Sequence, residues 1–264
     1  MYPTSQGIKK LSQKLLRVRD PGSGGARKRM LKLKHTKPLL LKALDKVFHT
    51  PRWGQFEKVL SAHAAMEDFF FIEIGANDGK MHDFVFKRVN KQHWRGILVE
   101  PVGYYFERLK AHYAGNDHLI LENAAIAEQD GTRVLYRVKE GLSYLPAWVN
   151  GLGTFRQEVL LKHGWAIPDI HDCMVKEEVR CLTLASLLDK HAVKKLDLLL
   201  IDTEGYDYEI IKQIDFNNMA PKIIVFEHKH LSAEDRADCE ELLRKNQYII
   251  ARHYTNTLAY LRFD

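Results

Sequence analysis

The chain has 264 residues, 45% hydrophobic and 28% charged, which excludes a fibrous or wholly disordered protein and suffices for one large α/β domain or two small ones. No apolar run approaches the roughly 20 residues that span a bilayer, so a membrane-embedded bundle is excluded as well. The net charge of +6 hides a split: residues 1–50 carry thirteen Lys and Arg against Asp20 and Asp45, a net of +11, and the rest carries 27 basic and 32 acidic residues, a net of −5.

Two units are therefore expected, a basic leader over 1–50 and a mildly acidic body over 51–264. The leader contains Pro-Gly-Ser-Gly-Gly at 21–25 and an apolar-basic stretch after it, and reads as partly helical or flexible. Such an arm can bind anionic lipid, nucleic acid or an acidic polymer, or simply stay solvated. It lacks the apolar core and cleavage site of a secretory signal. Its acid-poor character suits a cytoplasmic protein and equally a mitochondrial transit peptide. Cys173, Cys181 and Cys239 lack CxxC spacing and read as reduced thiols.

From residue 51 onward strands and helices alternate. Residues 69–74 (FFFIEI) form a short aromatic and β-branched run ended by a glycine loop, the pattern of a strand buried on both faces. A helix is expected over 82–90, a strand over 96–99, a helix over 104–113, extended chain over 118–124 and a strand over 133–138. Thr183 can cap a helix running to residue 191, and 196–201 (LDLLLI) is a second doubly buried strand. A helix over 206–214 and a third buried strand over 222–226 follow. Ser232 with Asp235 resembles a capping box for a helix to residue 245. Strands over 247–252 and 257–263 close the chain as a hairpin. This order predicts a doubly wound α/β fold: a mostly parallel seven-stranded sheet, helices on both faces and a C-terminal antiparallel hairpin. Ligands in such a sheet bind beyond the carboxyl ends of the strands.

The chemistry-bearing residues fall at those ends. Glu73-x-Gly75-x-Asn77-x-Gly79, with Ala76 and Asp78 completing the turn, follows the first strand. Glu100, then Pro101, ends the second strand, where a carboxylate can accept both hydroxyls of a ribose. The spacing is not Gly-x-Gly-x-x-Gly, and Glu73 and Asp78 would repel a pyrophosphate. A cationic nucleoside without phosphate meets these demands, and S-adenosyl-L-methionine is one.

These residues resemble the FkbM family of methyltransferases. The matching pieces are FIEIGANDG at 71–79, VEP at 99–101, NAAIAEQDG at 123–131, LTLASLLDKH at 182–191, LDLLLIDTEGYDYEII at 196–211 and IIVFEH at 223–228. The resemblance implies a class I, Rossmann-like fold and S-adenosyl-L-methionine-dependent methyl transfer, typically O-methylation of a glycan, sugar or natural product. It implies that Glu73, Gly75, Asn77 and Gly79 line the methionine end, that Glu100 holds the ribose, and that Asn123 and Ala124 lie near the adenine.

Asp202-Thr203-Glu204-Gly205 ends the strand 196–201. One of its carboxylates can orient the sulfonium side of the cofactor and the other can accept the acceptor's proton, because a hydroxyl is a poor nucleophile without a base in hydrogen-bond reach. Both are equally able to cap the following helix. His228 is the alternative base. Glu227, His228 and His230 with Asp202 and Glu204 have ligand chemistry for a divalent ion, but neighbouring strand residues face opposite ways, so no metal is expected. Residues 140–181 exceed an ordinary connection and carry Tyr144, Trp148, Phe155 and Trp165, as a lid or acceptor-binding insertion would, though a helical excursion packed on the core reads equally well. Two other functions stay open: an RNA methyltransferase tethered by the basic leader, and a non-catalytic scaffold that retains cofactor affinity.

Overall fold

The computed structural model describes residues 68–80, 85, 89, 94–149 and 151–262. The basic leader, the boundary at residue 51 and nearly all of the helix expected over 82–90 lie outside the described residues.

The apolar run after Asp68 forms β1 (Phe70–Ile74), with every residue but Phe70 buried. Parallel partners flank it: β2 (Arg95–Val99) on one side and β8 (Leu198–Ile201) on the other. β3 (Leu119–Glu122) extends the sheet beyond β2, and β9 (Ile223–Glu227) extends it beyond β8. The hairpin of β10 (Ile249–His253) and β11 (Asn256–Tyr260) completes it, with β11 inserted antiparallel between β9 and β10. This is the expected seven-stranded sheet, in the order β10-β11-β9-β8-β1-β2-β3.

Both faces are covered, as the runs of Leu, Ile and Val in the central strands require. One face packs Ile72, Ile74, Leu199 and Phe226 against α4 (Leu184–Lys190), α5 (Asp207–Ile211) and α6 (Ala233–Lys245). The other packs Phe71, Leu98 and Leu198 against Leu109 and Tyr113 at the end of α1 (Gly103–His112) and against Trp94. Fully burying side chains of this size stabilises by roughly 1.5–3 kcal/mol each. The expected caps are present: Thr183 accepts from the Ser186 N–H and Ser232 from the Asp235 N–H. Asp197, 1% exposed, ties the sheet's lower edge together by accepting the Phe70 N–H at 2.9 Å and pairing with Lys222 at 2.8 Å.

The sequence reading differs in the middle of the chain. The extended stretch over 118–124 ends at Glu122, and β4 (Ala125–Ile126) leaves for a second sheet. That sheet, β4-β7-β5-β6, contains β5 (Gly131–Val138), β6 (Gly153–Thr154) and β7 (Met174–Leu182). β5 and β7 pair antiparallel from Gly131↔Cys181 to Val138↔Met174, so the end of the 140–181 segment, from Met174 on, is strand. β7 alternates exposed charge with inward apolar groups, which hid it within a segment read as insertion. Between β5 and β7 lie α2 (Gln157–Leu161), α3 (Ile170–Cys173) and a small core of their own around Val149, Leu160 and Ile167.

Strand register sets the site. Ile74 stands level with Val99 and Ile201, and Ile201 with Phe226. The residues that follow, Glu100, Gly75, Asp202 and Glu227, therefore emerge side by side along one rim.

Candidate active site

Gly75 has a φ of +89°, and a Cβ on it would stand 2.0 Å from the Asp202 carbonyl oxygen. Only glycine lets the two strand ends approach so closely. Gly75 and Ala76 both donate their N–H groups to the Val99 carbonyl, and Gly79 closes the turn onto the Ala76 carbonyl. A side chain at Gly79 would strike Leu109 and Tyr113, so that glycine serves the packing of α1.

Glu100 is 5% exposed, and its two oxygens accept the N–H groups of Asn77 and Val102, each at 2.8 Å. Each carboxylate oxygen keeps a second lone pair for a ligand hydroxyl. Burial pushes the carboxyl up to about 7, against those two hydrogen bonds, and Glu177 and Asp78 add to the rise. Asn123 holds the same corner, donating its amide to the carbonyls of Glu100 at 2.8 Å and Pro101 at 3.2 Å. Ala124 is fully buried in the core below it. Glu73, 7% exposed, belongs to β1 itself. Asp78 is turned toward α1: it accepts the Lys80 N–H and stands 3.8 Å from Arg108.

The Asp202-Thr203-Glu204-Gly205 turn is held from three sides. Asp207, completely buried, accepts from the Thr203 hydroxyl and the Gly205 N–H with one oxygen and from the Glu227 N–H with the other. Thr154, from the second sheet, donates its hydroxyl to the Glu204 carbonyl at 2.9 Å. Glu204 itself sits at φ +51°, a left-handed conformation that is uncommon away from glycine and concentrates at functional sites. Sequence reading missed Asp207, which looks like any acidic residue in a helix's first turn.

The four carboxyls of this corner diverge. Asp202 is exposed at the rim, yet desolvation by the protein packed around it, with Glu204 and Asp207 nearby, raises it to about 8. Burial raises Asp207 to about 7, and burial next to Glu204 and Asp202 raises Glu227 well above the carboxylate range. Glu204 goes the other way: burial opposes its charge, but His230 beside it keeps its pKa low. Two carboxyls two residues apart are thus split into a protonatable acid, Asp202, and a persistent anion, Glu204.

His228 is not brought to this cluster. It is buried against β11, its Nδ1 hydrogen-bonded to the Thr257 hydroxyl at 2.9 Å, with Arg236 and Arg252 as its charged neighbours. The histidines at Glu204 are His230, whose Nε2 lies 3.0 Å from Oε2, and His163 from the insertion, whose ring centroid is 5.1 Å from that of His230. Nothing in the sequence pointed to His163, which lies 41 residues before Glu204. The insertion also reaches the glycine turn, because Gly151 packs directly on the Asn77 side chain.

A glycine turn and an acidic turn thus stand side by side at the carboxyl edge of a parallel sheet, where an α/β enzyme works. The FkbM methyltransferase domain matches residues 73–250. The chain belongs to this family and is a methyltransferase. No curated protein sequence matches it. Among solved structures, the methyltransferase FkbM from Methylobacillus flagellatus KT is similar over 73% of this chain and 43% of its own, at 10% identity and a TM-score of 0.46. The precorrin-6y C5,15-methyltransferase from Geobacter metallireducens GS-15 is similar over 79% of this chain and 88% of its own, at 10% identity and TM-score 0.41. The human methyltransferase 10 domain containing protein is similar over 89% and 98%, at 11% identity and TM-score 0.43.

Proposed function

We propose that the chain is an S-adenosyl-L-methionine-dependent O-methyltransferase acting on a hydroxyl of a glycan, sugar or natural product. The observation that carries this reading is the row of acids along the rim: Glu100 beside the glycine turn and Asp202 on the neighbouring strand. The donor chemistry fits the cofactor, since Glu73 and Glu100 suit an ammonium and a ribose and the turn itself, 75–79, holds no cation for a phosphate. Glu100 would hold the ribose hydroxyls and Glu73 the aminoacyl end, with Asn77 and Asn123 fixing the walls. When bound, the cofactor supplies a methyl group already activated on a cationic sulfur.

The chain's own work is then alignment and proton transfer. Holding two reactants in line contributes roughly 7–11 kcal/mol when the geometry is near that of attack. Asp202, with a pKa of about 8, is matched to accept a hydroxyl proton near neutral pH. Glu204, held by His230, is the weaker base of the two and orients charge. For the acceptor, Trp165 is 66% exposed and stacks on Trp148 at 6.0 Å and 28°. Such a platform suits the apolar face of a sugar or another flat ring. Incubation with methyl-labelled cofactor and extracts fractionated into RNA, glycan, lipid and protein tests the reading. Label in a base-stable ether of the glycan or small-molecule fraction is expected. Label confined to RNA, with binding that collapses in salt, would replace it with the tethered RNA enzyme.

A further inference from the structure

We propose that His163, Glu204 and His230 form a binding site for a divalent transition-metal ion at the turn that follows β8. One ligand atom from each lies within 4.8 Å of the others, and Asp202, Glu204 and Glu227 form a second such group sharing Glu204. Such proximity alone would be weak evidence. The second observation is the state of His230: its side chain is 6% exposed, and its Nε2 stands at ion-pair distance from Glu204 Oε2 at 3.0 Å and Glu227 Oε2 at 3.5 Å, yet among the described residues it makes no well-formed hydrogen bond. Those two carboxylate oxygens are likewise buried without a hydrogen bond. A buried polar group left so costs about 1–3 kcal/mol, which a shared ion would relieve.

The spacings are those of a coordination shell. Ligands about 2.0–2.1 Å from one ion stand roughly 3.0–3.4 Å apart; the His230–Glu204 pair is already at 3.0 Å, and His163, within 4.8 Å of both, would close in on binding. The tautomer of His163 is also set for ligation. Its Nδ1 lies 3.2 Å from the Val159 carbonyl. A carbonyl only accepts, so Nδ1 carries the proton and Nε2 keeps its lone pair, the arrangement usual for ligating histidines. Two imidazoles with carboxylate select Zn²⁺, Co²⁺, Fe²⁺ or Mn²⁺ over Mg²⁺ or Ca²⁺.

The site adjoins the exposed Asp202 through Glu204, so an open position of the ion would hold an acceptor oxygen next to the proposed base. That use, though not the site itself, rests on the methyl-transfer reading. The test uses the full chain, stripped with a chelator and titrated with Co²⁺ while ligand-field absorption and tryptophan fluorescence are followed, since Trp148 lies 5.5 Å from the His163 ring. One equivalent of Co²⁺ should bind with a dissociation constant below about 10 μM. His230→Gln and Glu204→Gln should each weaken it by at least about 100-fold, whereas His171→Gln, at an exposed position, should leave it unchanged. Circular dichroism checks folding, and if the histidine variant unfolds the size-conserving Glu204→Gln decides. Absence of stoichiometric Co²⁺ binding by the wild type, or equal binding by folded Glu204→Gln, overturns the site. Calorimetry with S-adenosyl-L-methionine on the stripped protein reports the methyl-transfer reading separately.

Discussion

Gly75→Ala is the sharpest structural perturbation of this site. The added methyl would lie 2.0 Å from the Asp202 carbonyl oxygen, where carbon and oxygen need roughly 3.3 Å. The left-handed φ of +89° adds about 1–2 kcal/mol for a residue with a Cβ. Overpacking in a closed core adds about 1–3 kcal/mol, for a loss of about 2–5 kcal/mol, or roughly 5–15 °C in Tm for a domain of this size. The strand ends can relieve the clash only by parting about 1 Å, a displacement of Asp202 that, on the proposed role of that residue, costs turnover about 10²-fold. Thermal melts followed by circular dichroism and single-turnover methyl transfer measure the two effects. A variant within about 1 °C of wild type and fully active would refute the close approach of β1 and β8 on which the site is built.

Three further outcomes are expected. Asp202→Asn should lower turnover about 10²–10⁴-fold, and should raise Tm above about pH 8, where the ionised wild-type side chain is repelled by Glu204 and Asp207; near-normal activity and Tm would make Asp202 a cap, which Asn replaces well. Stability of the unliganded protein should fall as pH rises from about 6.5 to 8. The raised carboxyls Glu100 and Asp207 at about 7 and Asp202 at about 8 bind protons there that the unfolded chain has lost, and below 6.5 the lowered histidines His163 and His228 act in the opposite sense. Glu100→Gln should flatten that slope, and an unchanged pH profile of Tm would contradict its assigned state. His228→Ala should lower Tm through loss of the Thr257 bond while leaving kcat near normal; a collapse of kcat in a folded variant would return His228 to the reaction.

The main sheet was legible in the sequence because its central strands are buried on both faces, so FFIEI, LLLI and IIVF read as apolar runs, interrupted only by Glu73, ahead of glycine and acidic turns. The same placement made Glu100, Asp202 and Glu204 legible as rim residues. β7 escaped because a strand with one wet face alternates like a polar linker. His163 and Asp207 escaped for a different reason: each acquires its role from tertiary contact alone, one by a ring packed on His230 and the other by bridging the Thr203 turn to β9. His228 and His230 were two residues apart, and the Thr257 contact, invisible in the sequence, decided which of them turned away from Glu204.

Calorimetric titration of the full chain with S-adenosyl-L-methionine and, in parallel, with NAD tests the central claim most directly. Binding of the first at a single site is expected, weakened in Glu100→Ala by about 1.5–3 kcal/mol through the loss of charge-assisted hydrogen bonds, with no heat from NAD. Binding of NAD alone, or S-adenosyl-L-methionine affinity indifferent to Glu100→Ala, would contradict the account.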